Sequence, residues 1–130
     1  MPKHKAPRPT DAELDILSVL WQRGPSTVRE VHEHLSGRKT MVYTTILKFM
    51  QIMTEKGLVE RDESERAHRY RARVPQEQTQ QQMLAHLLER AFEGSASKLV
   101  LQALSAKRTS SQELARIREM LDDFERGKKR

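Results

Sequence analysis

The sequence predicts a mainly α-helical chain with a small β-wing, an N-terminal winged helix-turn-helix followed by a three-helix C-terminal segment. Three observations predict it. Between Thr40 and Lys56, apolar residues at Ile46, Met50 and Met53 recur at helical spacing, and hydroxyls and a lysine occupy the other side. Gly57 stops that helix, and two short arginine-rich stretches of strand character follow, Leu58-Val59-Glu60-Arg61 and His68-Arg69-Tyr70-Arg71-Ala72. After Val74-Pro75 the character changes: a glutamine-rich start at residues 76–82 leads into leucines at helical spacing.

The first helix is expected to start at Thr10. Thr10-Asp11-Ala12-Glu13 is a capping box, in which the hydroxyl and the carboxylate satisfy N–H groups left free at a helix start. Leu14, Leu17, Leu20 and Trp21 then form an apolar stripe, and Gly24-Pro25 ends the helix. A second box, Thr27-Val28-Arg29-Glu30, opens the next helix, with Val28, Val31 and Leu35 inward and Gly37 as its C-cap. The third helix begins near Lys39 or Thr40, buries Ile46, Met50 and Met53 with Leu47 and Phe49 beside them, and ends at Gly57. The polar stretch Asp62 to Arg66 contains no glycine, which favours a longer wing loop over a tight two-residue turn. Tyr70 is expected in the core.

These elements divide the chain into a flexible basic arm at 1–9, a winged helix at 10–75, a helical dimerisation domain at 76–126 and a disordered tail at 127–130. The dimerisation domain carries Met83, Leu84, Leu87, Leu88, Ala91 and Phe92 on one helix, then a break at Gly94-Ser95. A short helix with Leu99, Val100, Leu101 and Leu104 follows. Ser110-Ser111-Gln112-Glu113 caps the last, which places Leu114, Ile117, Leu121 and Phe124 on one face. Three helices in roughly fifty residues bury too little surface to be stable alone. Their apolar stripes need a partner, and a second copy of the chain is the expected one, since helix-turn-helix readers commonly bind two half-sites as symmetric dimers.

Composition bounds the function. The 130 residues carry a formal net charge of +6 and a pI near 9.9, which favours a polyanionic partner such as nucleic acid. Absence of cysteine excludes disulfides, thiolate metal sites and thiol redox chemistry, and fits a cytoplasmic setting. No apolar run approaches the about eighteen residues that span a bilayer, so no membrane insertion is expected. The N-terminus is basic and proline-rich with no hydrophobic stretch behind it, unlike a signal peptide. His32 and His34 stand two apart on a helix and point to different faces, which does not suit a metal pair. No nucleophile elbow, glycine-rich phosphate loop or paired-carboxylate signature is present. Neither a cofactor nor a catalytic activity is expected.

The candidate chemistry is therefore DNA contact. Thr44, Thr45 and Lys48 lie within about one turn, away from the buried stripe. Threonine can meet a thymine methyl or a phosphate, and lysine can reach guanine or a phosphate. Tyr43 either reaches the DNA from the helix N-terminus or packs its ring on the second helix. Arg38, Lys39 and Thr40 suit phosphates, which position a protein without specifying sequence. Arg66, nearest the wing turn, is the choice for a backbone or minor-groove contact; Arg69 and Thr27 complete the set.

The same residues resemble the penicillinase-repressor family of bacterial transcription regulators, which includes the methicillin-resistance repressors. The matching stretches are Thr10–Trp21, Thr44-Thr45-Ile46-Leu47, Lys56-Gly57-Leu58-Val59, Arg66 through Tyr70, and Phe92-Glu93-Gly94-Ser95 with Leu99-Val100-Leu101. The resemblance implies a repressor that binds double-stranded DNA as a homodimer, at an inverted-repeat operator built from TACA/TGTA-type half-sites. It implies recognition contacts at Thr44, Thr45 and Lys48. It further implies relief of repression by a membrane-bound metalloprotease sensor that cleaves an Asn-Phe bond after a Leu-Val-Leu-like run. Here Leu99-Val100-Leu101 is followed by Gln102-Ala103 in place of that pair, which marks the candidate cleavage region. Copper-responsive relatives sense metal through a C-terminal cysteine motif, which this chain lacks. Two other readings share the fold: a transcriptional activator, and a helical adaptor whose winged helix meets proteins and shows no salt-dependent DNA affinity.

Overall fold

The computed structural model describes residues 7–36 and 41–127. Helix α1 (Asp11–Arg23) begins as its capping box dictates: the Thr10 hydroxyl accepts the Glu13 N–H, and the Glu13 carboxylate accepts the Thr10 N–H at 2.9 Å. Ile16, Leu17, Val19 and Leu20 are its buried apolar residues, so the stripe sits wider than Leu14-Leu17-Leu20-Trp21 suggests, and Leu14 and Trp21 are only half-buried. The Trp21 indole N–H instead donates to the Val74 carbonyl at 2.9 Å, tying the end of α1 to the end of the wing.

Helix α2 (Val28–Leu35) opens on the second box, Thr27 with Glu30, and buries Val28, Val31 and Leu35 as expected. Its C-cap is Ser36; Gly37, the expected cap, lies outside the described residues. Helix α3 (Tyr43–Lys56) starts later than the Lys39–Thr40 expectation, and those two residues lie outside the described ones. Val42 is extended, and its carbonyl accepts the first helical N–H groups, from Thr45 and Ile46, at 3.1 Å each. Gly57 ends α3 in the left-handed region at φ 84°, a conformation that costs glycine least.

Strands β1 (Val59–Asp62) and β2 (Arg69–Ala72) pair antiparallel, with Val59 opposite Ala72 and Asp62 opposite Arg69. Each begins one residue later than expected. Leu58 spends its N–H on the Met53 carbonyl, which closes α3, so pairing starts at Val59. A six-residue loop from Glu63 to His68 connects them, in keeping with the long wing expected. One pairing was not foreseen. Ser26 forms an antiparallel bridge with Tyr70, exchanging N–H···O bonds of 2.8 and 2.9 Å, so the α1–α2 link adds a third short member beside β2.

The remaining helices are α4 (Gln76–Ala91), α5 (Ala96–Ala106) and α6 (Ser111–Gly127). The break falls at Gly94-Ser95 as read; Ser95 caps α5 and Ser110 caps α6. Gly127, expected in the tail, is the last residue of α6; residues 1–6 of the expected arm and 128–130 of the tail lie outside the described residues. The chain forms two compact units, one running to Leu84 and one from Ala85. The first holds the core: Ile16, Leu17, Leu20, Val31, Leu35, Ile46, Met50, Met53, Leu58, Val59 and Tyr70 among others. In the second, none of the described residues is buried.

One charged group lies inside the first unit. Glu13 is 1% exposed. One carboxylate oxygen takes the Thr10 N–H, and the other takes the Lys56 ammonium at 2.7 Å. Burial pushes the carboxyl up, but the Lys56 bond and the Thr10 N–H together outweigh it and hold it below its ordinary value. A carboxyl depressed in the folded state stabilises the fold above its unfolded value of about 4.3, and this contribution fades as pH falls through the folded value. Glu13→Gln should therefore cost roughly 1–3 kcal/mol at neutral pH. Denaturant titrations of the two proteins should converge as pH drops below about 4.3. A gap that stays constant down to pH 2 would show that the charge of Glu13 is not what stabilises.

Candidate nucleic-acid interface

Helix α3 separates two faces. Ile46, Met50 and Met53 are buried at spacings of four and three, as the sequence predicts. Thr44, Lys48, Gln51 and Glu55 are exposed in a line along the other side. Thr45 turns partly inward and is half-buried, so it is less available than Thr44. The Tyr43 ring sits edge-on to His32 of α2, with centroids 6.2 Å apart, yet remains 45% exposed. It thus packs on the second helix and still presents surface outward.

This line is chemically uneven. Its N-terminal half offers hydroxyls and the Lys48 ammonium, which suit base edges and phosphates. Glu55, at the far end, would repel phosphates, so the usable part is the first two turns and Gln51. Gln51 was missed in the sequence; its signal was the seven-residue spacing from Thr44, which returns to the same helix face. Glutamine can pair bidentately with adenine.

The start of α3 departs from those of α1 and α2. Thr10 and Thr27 each close a full capping box, whereas the N-cap of α3 is Val42, which makes no side-chain cap bond. Valine is among the poorest N-caps, costing about 1 kcal/mol against serine or threonine. Val42 is also 61% exposed, so packing does not offset that cost.

In the wing most arginines are already partnered. Arg61 pairs with Glu63 at 2.6 Å, and Arg71 and Arg73 share Glu60. Arg69 lies between Glu30 of α2 at 3.4 Å and Glu65 at 3.7 Å. Glu30 also takes the Thr27 N–H, which contributes most to holding its carboxyl below the ordinary value, with Arg69 and Arg23 adding to it. The Asp62 carboxylate accepts the Ser64 N–H at 2.9 Å and bends the chain into the loop. Arg66 has no ion pair. Among the described residues of the first unit, Arg8, Arg29 and Lys48 share that freedom.

The expected set is thus brought together only in part. Tyr43, Thr44 and Lys48 share the exposed start of α3, and Arg66 stands exposed in the wing loop. Arg69 is committed to carboxylates, and the Thr27 hydroxyl to its capping box. Arg38, Lys39 and Thr40 lie outside the described residues. Arg29, exposed in the first turn of α2, was not singled out in the sequence. Among the described residues no group of histidines and carboxylates could hold a metal ion, and no helix is long and apolar enough to cross a membrane.

The second unit presents apolar surface. Leu87, Val100, Leu101, Met120, Leu121 and Phe124 are exposed, Phe124 by 76%. Leu88, Phe92, Leu99, Leu104, Leu114 and Ile117 are half-buried, while Met83 and Leu84 precede it on α4. Gln102 and Ala103 are exposed in the middle of α5.

Against known proteins, a family model described as penicillinase repressor matches residues 9–123. A transcriptional regulator BlaI of Mycobacterium tuberculosis is 32% identical over 124 residues, covering 95% of this chain and 89% of that protein. A penicillinase repressor of Bacillus licheniformis is 24% identical over 125 residues, covering 96% and 98%. Among solved structures, the solution structure of monomeric Bacillus licheniformis BlaI in complex with the blaP half-operator superposes with a TM-score of 0.50. It is 26% identical and covers 55% of this chain and 88% of that one.

Proposed function

This chain belongs to the penicillinase repressor family, and from that premise we propose that it represses transcription by binding an inverted-repeat DNA operator as a homodimer. The observation that carries the reading is the exposed line on α3, where Thr44 and Lys48 stand free beside a stripe buried at Ile46, Met50 and Met53. Such a helix enters the major groove with its N-terminal residues toward the base edges. Arg66 supplies a wing cation for the phosphate backbone, and Arg29 a second from the start of α2. That the Bacillus licheniformis relative was solved in complex with a half-operator supports DNA as the partner.

The second unit holds two copies together. With none of its described residues buried, it gains a core by covering Leu87, Leu121 and Phe124 against a partner of the same kind. Occupying the operator excludes polymerase, so repression needs no catalysis, and the protein acts in the cytoplasm. Relief follows the family's route, proteolysis of this unit by a membrane-bound metalloprotease sensor. Gln102 and Ala103 sit within a helix, so cleavage there first requires that turn of α5 to open.

Fluorescence anisotropy with a TACA/TGTA inverted repeat and a scrambled duplex tests the reading. A preference on the order of a thousandfold is expected; equal binding to both would overturn it. Lys48→Ala should cost roughly 1–3 kcal/mol if it holds a base, and should relax preference at one position. Arg66→Ala should instead lower the salt slope by about one while leaving preference intact. Arg71→Ala, already neutralised by Glu60, should leave the slope unchanged, and a change there would mean that the wing's pairs open on DNA.

Leu121→Asp should dissociate the dimer in sedimentation velocity and weaken operator binding, because linked half-sites gain from effective concentration. A variant that stays dimeric would place the self-association elsewhere.

A further inference from the structure

We propose that Val42 is a base-reading residue, whose side chain packs against the C5-methyl group of one thymine in each half-site. The inference rests on the proposed operator binding and extends it to a position that the hydroxyl-and-lysine reading does not include. Three observations carry it. Val42 is 61% exposed on a unit whose other valines are buried, at Val19, Val28, Val31 and Val59, or half-buried, at Val74. It occupies an N-cap where threonine closes a capping box in α1 and in α2, and it makes no cap bond. It directly precedes Tyr43 and Thr44, at the end of α3 that enters the groove first.

An exposed apolar group that neither packs nor caps is a local inconsistency, and such inconsistencies concentrate at functional sites. In the major groove the partner for it is specific. Bases offer donors and acceptors on their edges, and thymine alone adds a methyl group. A serine or threonine in the same place would turn its hydroxyl back onto the α3 backbone as a cap. Valine leaves the helix start uncapped and presents two methyl groups outward. The arrangement therefore trades helix stability for a contact available only on DNA.

The test uses the TACA/TGTA duplex with each thymine replaced in turn by deoxyuridine, which deletes the methyl and nothing else. The full chain should lose affinity at one thymine per half-site by about fourfold, the worth of one buried methyl. Val42→Ser should bind the unmodified duplex more weakly, lose the penalty at that thymine, and melt at a higher temperature because the cap is restored. Val42→Ala removes the methyls without supplying a cap and should lose the same penalty. A merely structural role for Val42 would move melting and binding together and leave the deoxyuridine penalty in place. An undiminished penalty in both variants overturns the assignment, as does a wild type indifferent to every deoxyuridine while still preferring the repeat. No preference for the repeat over the scrambled duplex would instead overturn the operator reading, and this assignment with it.

Discussion

The direction in which α3 faces depends on a buried carboxylate at the other end of the unit. Glu13 sits in the first turn of α1 with 1% of its surface exposed, and both of its oxygens are occupied. An ionised carboxylate in such a place is tolerated only with its partners in position. One partner is the Thr10 N–H, which starts α1; the other is Lys56, the last residue of α3. The pair fixes the C-terminal end of α3 along its axis, while Ile46, Met50 and Met53 fix its rotation in the core. Slipping by one residue would turn the helix through about 100°, carrying Lys48 off the outward line and a methionine onto it. Any reading of bases by Thr44 or Lys48 thus presupposes an interaction that no base touches.

The wing is held by the same economy of charge. Its base is anchored twice, by the Ser26–Tyr70 backbone bridge and by Glu30, which collects Arg69 from β2 and Arg23 from α1. Exposed ion pairs of this kind are individually weak. Their consequence is more electrostatic than energetic: each arginine spent on a carboxylate is lost to the phosphate backbone. Counting arginines therefore overstates the positive field of the wing. Arg66 differs because the loop around it directs Glu63 and Glu65 toward Arg61 and Arg69.

Much of this fold was legible in the sequence because its signals are local. Capping boxes at Thr10 and Thr27, the glycine stop at Gly57 and the Ile46-Met50-Met53 stripe each depend on residues within a few positions, and each stands where it was expected. What escaped depends on distant partners. The Ser26–Tyr70 bridge joins residues 44 positions apart and leaves no periodic trace. Glu13 reads as a cap residue, and its second partner lies 43 positions on. The sequence reading starts α3 too early because Thr40 is the nearest residue with a cap-like side chain, whereas the cap is Val42, a residue type with no cap signal. At the site, Thr44 and Lys48 were visible from helix faces, whereas Gln51 required the full exposed line. The neutralisation of Arg71 requires the strand register that sets it opposite Glu60, and that of Arg69 the approach of Glu30 from α2.

Among the described residues of the first unit, few cations remain once these pairs are made. Lys48, Arg66 and Arg29 would between them release only a handful of counterions from DNA. One copy would then hold a half-site weakly, with direct readout from a single short helix. In the proposed dimer, joining two copies would double the phosphate contacts and make the second binding event intramolecular, which multiplies affinity without a new kind of contact. On the proposed dimer, the exposed leucines and Phe124 of the second unit would therefore be as necessary to operator recognition as the residues proposed to meet the bases. Whatever separates that interface, whether a cut in α5 or a charge placed among the leucines, would release the DNA while leaving every base contact chemically intact.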